Sequence, residues 1–224
     1  GLAVVRNGDS CGYINTSGVF VIPPKYTDAL PFYDEYASVS DSIMGTRYFI
    51  DKTGKKIFAA PGNIAMSFID GLAYISIHNN NNDSDRVLFK SGFINKRGHY
   101  VVKPIYDILN FYNDGRVLFG FKSGDTIKCG FLDQRGKIII PAKYSFATDF
   151  SDSLAWVEKD SQLCVIDVNG KILLTTKYKN AQQFSEGLSA VKINGKWGYC
   201  DKQGEIIIEP QFDKVEPYDK GLAW

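Results

Sequence analysis

The chain has 224 residues, 44% apolar and 23% charged, with 26 basic against 25 acidic side chains. This composition excludes long disorder, and the longest apolar runs, such as Lys137-Ile138-Ile139-Ile140 and Glu205-Ile206-Ile207-Ile208, fall far short of the roughly 20 residues of a membrane-spanning helix. With charge balanced and no long Lys/Arg run, the footprint of a phosphate-tracking protein is missing, so neither nucleic acid nor membrane insertion is expected.

The chain opens at Gly1 without Met or a secretory pattern. It is therefore expected to be a mature or excised fragment of a longer chain. Leu2-Ala3-Val4-Val5 reads as a leading strand and Gly12-Tyr13-Ile14 as a second. Asn15 to Gly18 then offers an acceptor side chain at the first corner of a turn and Gly at its last. That combination suits a type I turn closed by a left-handed residue, which makes a bulged hairpin. Val19-Phe20-Val21-Ile22 follows as the third strand. Next come Pro24-Lys25-Tyr26 and, about six residues on, a second aromatic, Phe32. Proline cannot donate to a central ladder, so it is expected to end the outer strand while the aromatic packs back on the sheet.

The same sequence of elements then recurs. Counterparts of Gly18 stand at Gly54, Gly98, Gly136, Gly170 and Gly204, each preceded by its turn acceptor at Asp51, Asn95, Asp133, Asp167 and Asp201. The spacings are 36, 44, 38, 34 and 34 residues. The proline link returns as Pro104-Ile105-Tyr106, Pro141-Ala142-Lys143-Tyr144 and Pro210-Gln211-Phe212, and the later aromatic as Phe111, Phe150, Phe184 and Tyr218. The segment between link and leading strand reads as a fourth short strand or an irregular crossover. A single array over 1–224 follows, with repeats at approximately 1–34, 35–70, 71–114, 115–152, 153–186 and 187–220 and a partial seventh at 221–224. Each repeat is at least a three-stranded antiparallel meander.

Lys196-Trp197-Gly198-Tyr199, the Asp201 turn, the Pro-x-aromatic link and Phe184-Ser185-Glu186-Gly187-Leu188 together resemble the WG repeat family, found largely in bacteria. The resemblance spans essentially the whole chain, although Trp-Gly is intact only at Trp197-Gly198. Elsewhere the Trp position falls on Cys11, Arg47, Ser91, Cys129 and Leu163, and the Gly is replaced by Tyr48 and Cys164. The resemblance implies repeated modules with no common activity and no active site, carried by a larger bacterial protein or assembly of the cytoplasm or of the cell envelope. The expected fold class is all-β, a repeat protein of about six meander units, β-propeller-like, with an open β-solenoid or superhelical array as the alternative.

Chemistry-bearing residues are sparse. The four cysteines, Cys11, Cys129, Cys164 and Cys200, lack C-x-x-C spacing and read as small buried apolar residues. The two histidines, His78 and His99, have no ligand-spaced partner, and no nucleophile or phosphate-loop motif occurs. Asp149/Asp152 and Glu158/Asp160 could pair as a glycosidase dyad but fall at turns and strand edges, which favours a structural role. The expectation is no enzyme, no cofactor and no metal.

Candidate partner-binding residues are of two kinds. One is the third repeat's insertion, Ile77 to Arg86, with His78, Asn79, Asn80, Asn81, Asn82 and Asp83 at its heart. The other is a set of aromatics of the leading strand, Tyr74, Trp156 and Trp224, which would serve as contacts if exposed and as core if buried. The favoured function is a non-catalytic binding or scaffold module for a protein partner, and the alternative is a carbohydrate-binding module at the cell envelope.

Overall fold

The structure is a computed structural model that describes residues 1–42, 45–62, 64–79 and 88–222. Every regular element among them is a β-strand, in six antiparallel sheets. The first holds β1 (Ala3–Asn7), β2 (Ser10–Ile14) and β3 (Phe20–Tyr26). The second holds β4 (Asp28–Ala29), β5 (Ala37–Ser40), β6 (Tyr48–Ile50) and β7 (Lys56–Ala59); the third holds β8 (Ile64–Ala65), β9 (Leu72–Asn79), β10 (Leu88–Asn95) and β11 (Tyr100–Tyr106). The fourth is β12 (Ile108–Leu109), β13 (Val117–Ser123), β14 (Thr126–Leu132) and β15 (Ile138–Tyr144). The fifth is β16 (Phe146–Ala147), β17 (Leu154–Lys159), β18 (Gln162–Asp167) and β19 (Ile172–Thr175), and the sixth is β20 (Asn180–Ala181), β21 (Leu188–Ile193), β22 (Lys196–Asp201) and β23 (Ile206–Phe212). The chain packs as two compact units, Gly1–Asp107 and Ile108–Trp224, each carrying three sheets.

The segment after each of the first five links resolves as a two-residue strand that pairs with the leading strand of the next repeat, as Phe146 and Ala147 do with Glu158 and Val157. A sheet thus begins one short strand before its sequence repeat. In the fourth sheet the register of the link aromatic differs from expectation. Phe111 is 52% exposed, and Tyr112, three residues beyond β12 as Phe150 is beyond β16, is the partly buried ring. The two adjacent aromatics look alike in sequence, and the hairpin bridge Asn113–Arg116 decides which one faces inward.

All six turns have the expected form. At the first, Gly18 N donates to Asn15 O at 3.0 Å, and Asn15 Oδ1 accepts from Ser17 N and Val19 N, both at 3.0 Å. The closing glycines have φ between +76° and +84°, which an L side chain adopts only at a cost. Gly54, Gly98, Gly170 and Gly204 also lie close to the preceding sheet: a Cβ at Gly170 would come 3.0 Å from Ile140 Cγ1. One extra residue beside each turn gives the predicted bulge, as where Ile14 pairs with Phe20 and Tyr13 with Ile22.

The prolines do not end the outer strands. In β3, β11, β15 and β23 they sit inside the strand, at a second bulge that sets three residues against one glycine. Pro23 to Lys25 arch over Gly12, and pairing resumes at Tyr26 with Cys11. A Cβ at Gly12 would lie 2.6 Å from the Ile22 carbonyl oxygen and 2.7 Å from Pro24 N. The Gly of Trp-Gly is thus required by backbone contact, and proline is tolerated because the bulge takes its nitrogen out of the ladder. Where Gly is replaced, at Tyr48 and Cys164, this bulge is absent, the ladder runs on to Ala59 and Thr175, and the edge strand has four residues in place of seven.

The core lies between successive sheets of each unit. β17 is buried on both faces, with a period of two. Ala155 and Val157 pack with Leu118, Phe131, Ile140 and Tyr144 of the fourth sheet, while Leu154 and Trp156 pack with Phe184, Val191 and Cys200 of the sixth. Carboxylates tie the leading turns together. Asp34 accepts from Gly71 N at 3.0 Å, Asp114 from Ser153 N at 2.8 Å, Asp152 from Gly187 N at 2.6 Å, and Glu186 from Gly221 N at 2.8 Å. In these four cases the acidic turn residue of one repeat holds the backbone of the following repeat's turn.

Candidate functional site

β3, β7, β11, β15, β19 and β23 each form the edge of their sheet. On each edge strand the residue before the proline bulge, or its counterpart, faces the core: Ile22, Phe58, Val102, Ile140, Leu174 and Ile208 are buried or half-buried. Alternation then turns preceding residues outward. Val21, Ile57, Leu173 and Ile207 are exposed, as are Phe20, Tyr100, Ile138 and Ile172, with Ile138 at 52%, Leu173 at 50% and Ile207 at 56%. Both units therefore carry apolar side chains on the outward side of their edge strands. Sequence reading alone missed this surface, because Ile138-Ile139-Ile140 looks like uninterrupted core. The alternation is visible only once the turn bulge is counted.

Trp156 is fully buried, stacked on Phe184 with centroids 5.6 Å apart, and its Nε1 donates to Ser189 Oγ at 2.8 Å. It cannot serve as a partner contact, because its strand is covered on both faces. Tyr74 is half-buried, with its hydroxyl 2.6 Å from Ser91 Oγ and its ring edge-on to Phe93. His78 is exposed near the end of β9, paired with Phe89 and edge-on to its ring. Asn79 ends the same strand, while Asn80, Asn81, Asn82, Asp83 and Trp224 lie outside the described residues. Of the described candidates, Tyr74, His78 and Asn79 lie on β9 of the first unit and Trp156 on β17 of the second.

Two hollows of about 400 Å³ lie in the second unit. One is bordered by Phe146, Glu158, Ser161, Leu163, Tyr178, Lys179 and Asn180. It opens where Cys164 replaces Gly: the straight ladder leaves Tyr178 free of the edge strand, so its ring turns to Trp156 and its hydroxyl donates to Gly204 O at 2.6 Å. Burial and nearby acidic groups push that phenol up to about 12, so it remains neutral. The other hollow gathers Asn110, Asp149, Gln182 and Glu216 from successive links. Burial raises the Asp149 carboxyl above the ordinary aspartate range, against the Asn110 amide that donates to both of its oxygens at 3.0 Å. Its sequence neighbour Asp152 is engaged with Gly187 N and lies 3.5 Å from Lys202 Nζ.

The four cysteines are buried and unbridged. Burial holds the Cys129 thiol above its usual value and pushes Cys200 up to about 12, the reverse of what a reactive thiolate requires. Among the described residues no three His, Cys, Asp or Glu side chains are grouped to hold a metal ion.

The profile of the WG containing repeat matches residues 12–41, 92–125, 130–162, 165–197 and 197–224. No curated protein matches the sequence. Among solved structures, the chain is similar to a crystal structure of the eukaryotic initiation factor, with TM-score 0.64 at 10% identity over 95% of this chain and 63% of that one. The chain thus spans less than two thirds of that protein's length, and the likeness is one of fold alone. Hsv2 of Kluyvelomyces marxianus gives TM-score 0.48 at 7% identity over 88% and 71% of the two chains. Apo AztD of Citrobacter koseri gives 0.41 at 12% over 95% and 86%.

Proposed function

Since the chain belongs to the WG containing repeat family, we propose that it is a non-catalytic interaction module whose outer edge strands dock a protein partner. The observation that carries this reading is the recurrence of exposed Val, Ile, Leu, Phe and Tyr on edge strands of both units. Apolar groups kept outside the core at equivalent places of a repeat mark surface meant to be covered. A photo-crosslinking side chain placed at Ile138 or Ile207 of the full chain tests it. The expected outcome is a discrete cross-linked protein, absent when the label replaces Gln203 in an exposed turn. Labelling that is equal at all three positions, or absent, overturns the reading.

A second reading, carbohydrate binding, is supported by one feature, the hollow where exposed Phe146 stands near Asn180, Ser161 and Glu158. An aromatic face beside amide and hydroxyl groups suits a sugar ring. A glycan array on which Phe146→Ala abolishes a signal supports this reading, and a blank array removes it.

A further inference from the structure

Edge strands invite pairing with other chains, and proteins guard them with proline, bulges and charge. β3, β11, β15 and β23 carry both proline and the second bulge. β7 lacks that bulge but begins with Lys56, next to Lys55, and is followed by Pro61. β19 has neither proline nor the second bulge: it keeps only the bulge beside its turn, its lysines stand outside it at 171 and 177, from Ile172 to Thr176 it is free of charge, and Ile172, Leu173 and Thr175 are exposed. It is also held in place at both ends. Asp167 N donates to Lys171 O at 3.0 Å and Thr176 N to Leu163 O at 2.9 Å. An edge already held extended loses little conformational freedom when a further strand is added.

We propose that β19 is a docking edge for an extended segment of a partner protein that carries apolar residues between acidic ends. This rests on the protein-interaction reading and narrows it to one strand and one chemistry. Strand addition uses the outward N–H and C=O groups for affinity and alternate side chains for specificity. The choice of occupant follows from charge. Exposed Lys171 and Lys177 flank the strand, with Lys179 beyond. Antiparallel pairing of two copies centred on Leu174 would set Lys171 of one against Lys177 of the other, and like charges directly opposite are destabilising. An acidic-ended strand meets both lysines favourably.

The test uses the full chain and a fluorescein-labelled peptide, Glu-Val-Thr-Val-Thr-Val-Glu, followed by fluorescence anisotropy. Saturable binding is expected, weakened about tenfold or more by Leu173→Lys and by N-methylation of alternate peptide nitrogens. Lys171→Glu with Lys177→Glu should reverse the preference, so that the Lys-ended peptide binds better. Circular dichroism and melting temperature check that each variant is folded. Absence of saturation up to about 1 mM, equal binding of the Lys-ended and Glu-ended peptides, or indifference to N-methylation overturns the proposal. So does a dimer abolished by Leu173→Lys, which would make the occupant a second copy. Failure here with cross-linking intact at Ile138 or Ile207 defeats this inference and leaves the broader reading standing.

Discussion

The fourth and fifth sheets are neighbours in one unit, built from the same repeat, yet they finish their edges differently. In the fourth, Gly130 lets Pro141 to Lys143 arch outward before Tyr144 returns to pair with Cys129. In the fifth, Cys164 fills that space, the ladder stays regular as far as Thr175, and Tyr178 packs on Trp156 instead. A cysteine side chain for a glycine, with Thr175 for Pro141, thus separates a proline-guarded edge from a plain one. In the plain sheet the ring of Tyr178 joins Phe184 on Trp156 rather than returning to the edge.

The largest test of that contrast is Trp156→Ala. Removing a fully buried ring stacked on Phe184 should cost about 3–5 kcal/mol in urea unfolding. A cost below about 1 kcal/mol would mean that the fifth sheet is held by something other than its aromatic cluster. Next is Gly130→Ala. Its Cβ would sit 2.7 Å from Ala142 N and press on the Ile140 carbonyl oxygen, so backbone must move and about 2–4 kcal/mol should be lost. The reverse exchange, Cys164→Gly, should cost only about 1–2 kcal/mol, from a lost buried side chain and a freer backbone. Equal costs for the two would break the link between glycine and bulge.

A feature shared by both sheet types gives a control. Asp133→Ala and Asp167→Ala each remove an acceptor for two turn N–H groups, bonded at 2.9 Å in every case. These exposed turns should each lose about 0.5–1.5 kcal/mol, and by similar amounts in the two sheets. The smallest expected effect concerns the thiols. At about pH 8 the native protein should react negligibly with a disulfide reagent, and all four thiols should appear on unfolding. Rapid native labelling of Cys164 would show that the plain edge opens.

Much of this was legible in the sequence. The six Asx-x-x-Gly turns carried their own geometry, since an acceptor at the first corner and a left-handed closing residue leave few choices. Cysteines at strand positions read correctly as small core residues. The proline was misread because the rule against proline in ladders is local, whereas the bulge that accommodates it depends on a glycine ten or more residues earlier in another strand. Phe111 and Tyr112 were indistinguishable for a similar reason, since register belongs to a pair of strands. Alternation assigns Trp156 a face without saying whether that face is covered, so the sequence by itself places it neither at the surface nor in the core.

The amino-acid sequence therefore determined what depends on neighbouring residues along the chain: the number of repeats, the turns, the strand types and the place of the bulge beside each turn. Tertiary structure decided what depends on residues far apart in sequence. It set the second bulge over Gly12, Gly92, Gly130 and Gly198, the burial of both faces of β17, and the exposure of β19 as an edge. Those features arise from the approach of one backbone to another. That approach is fixed by strand pairing within a sheet and close packing between sheets, and no local stretch of residues contains it.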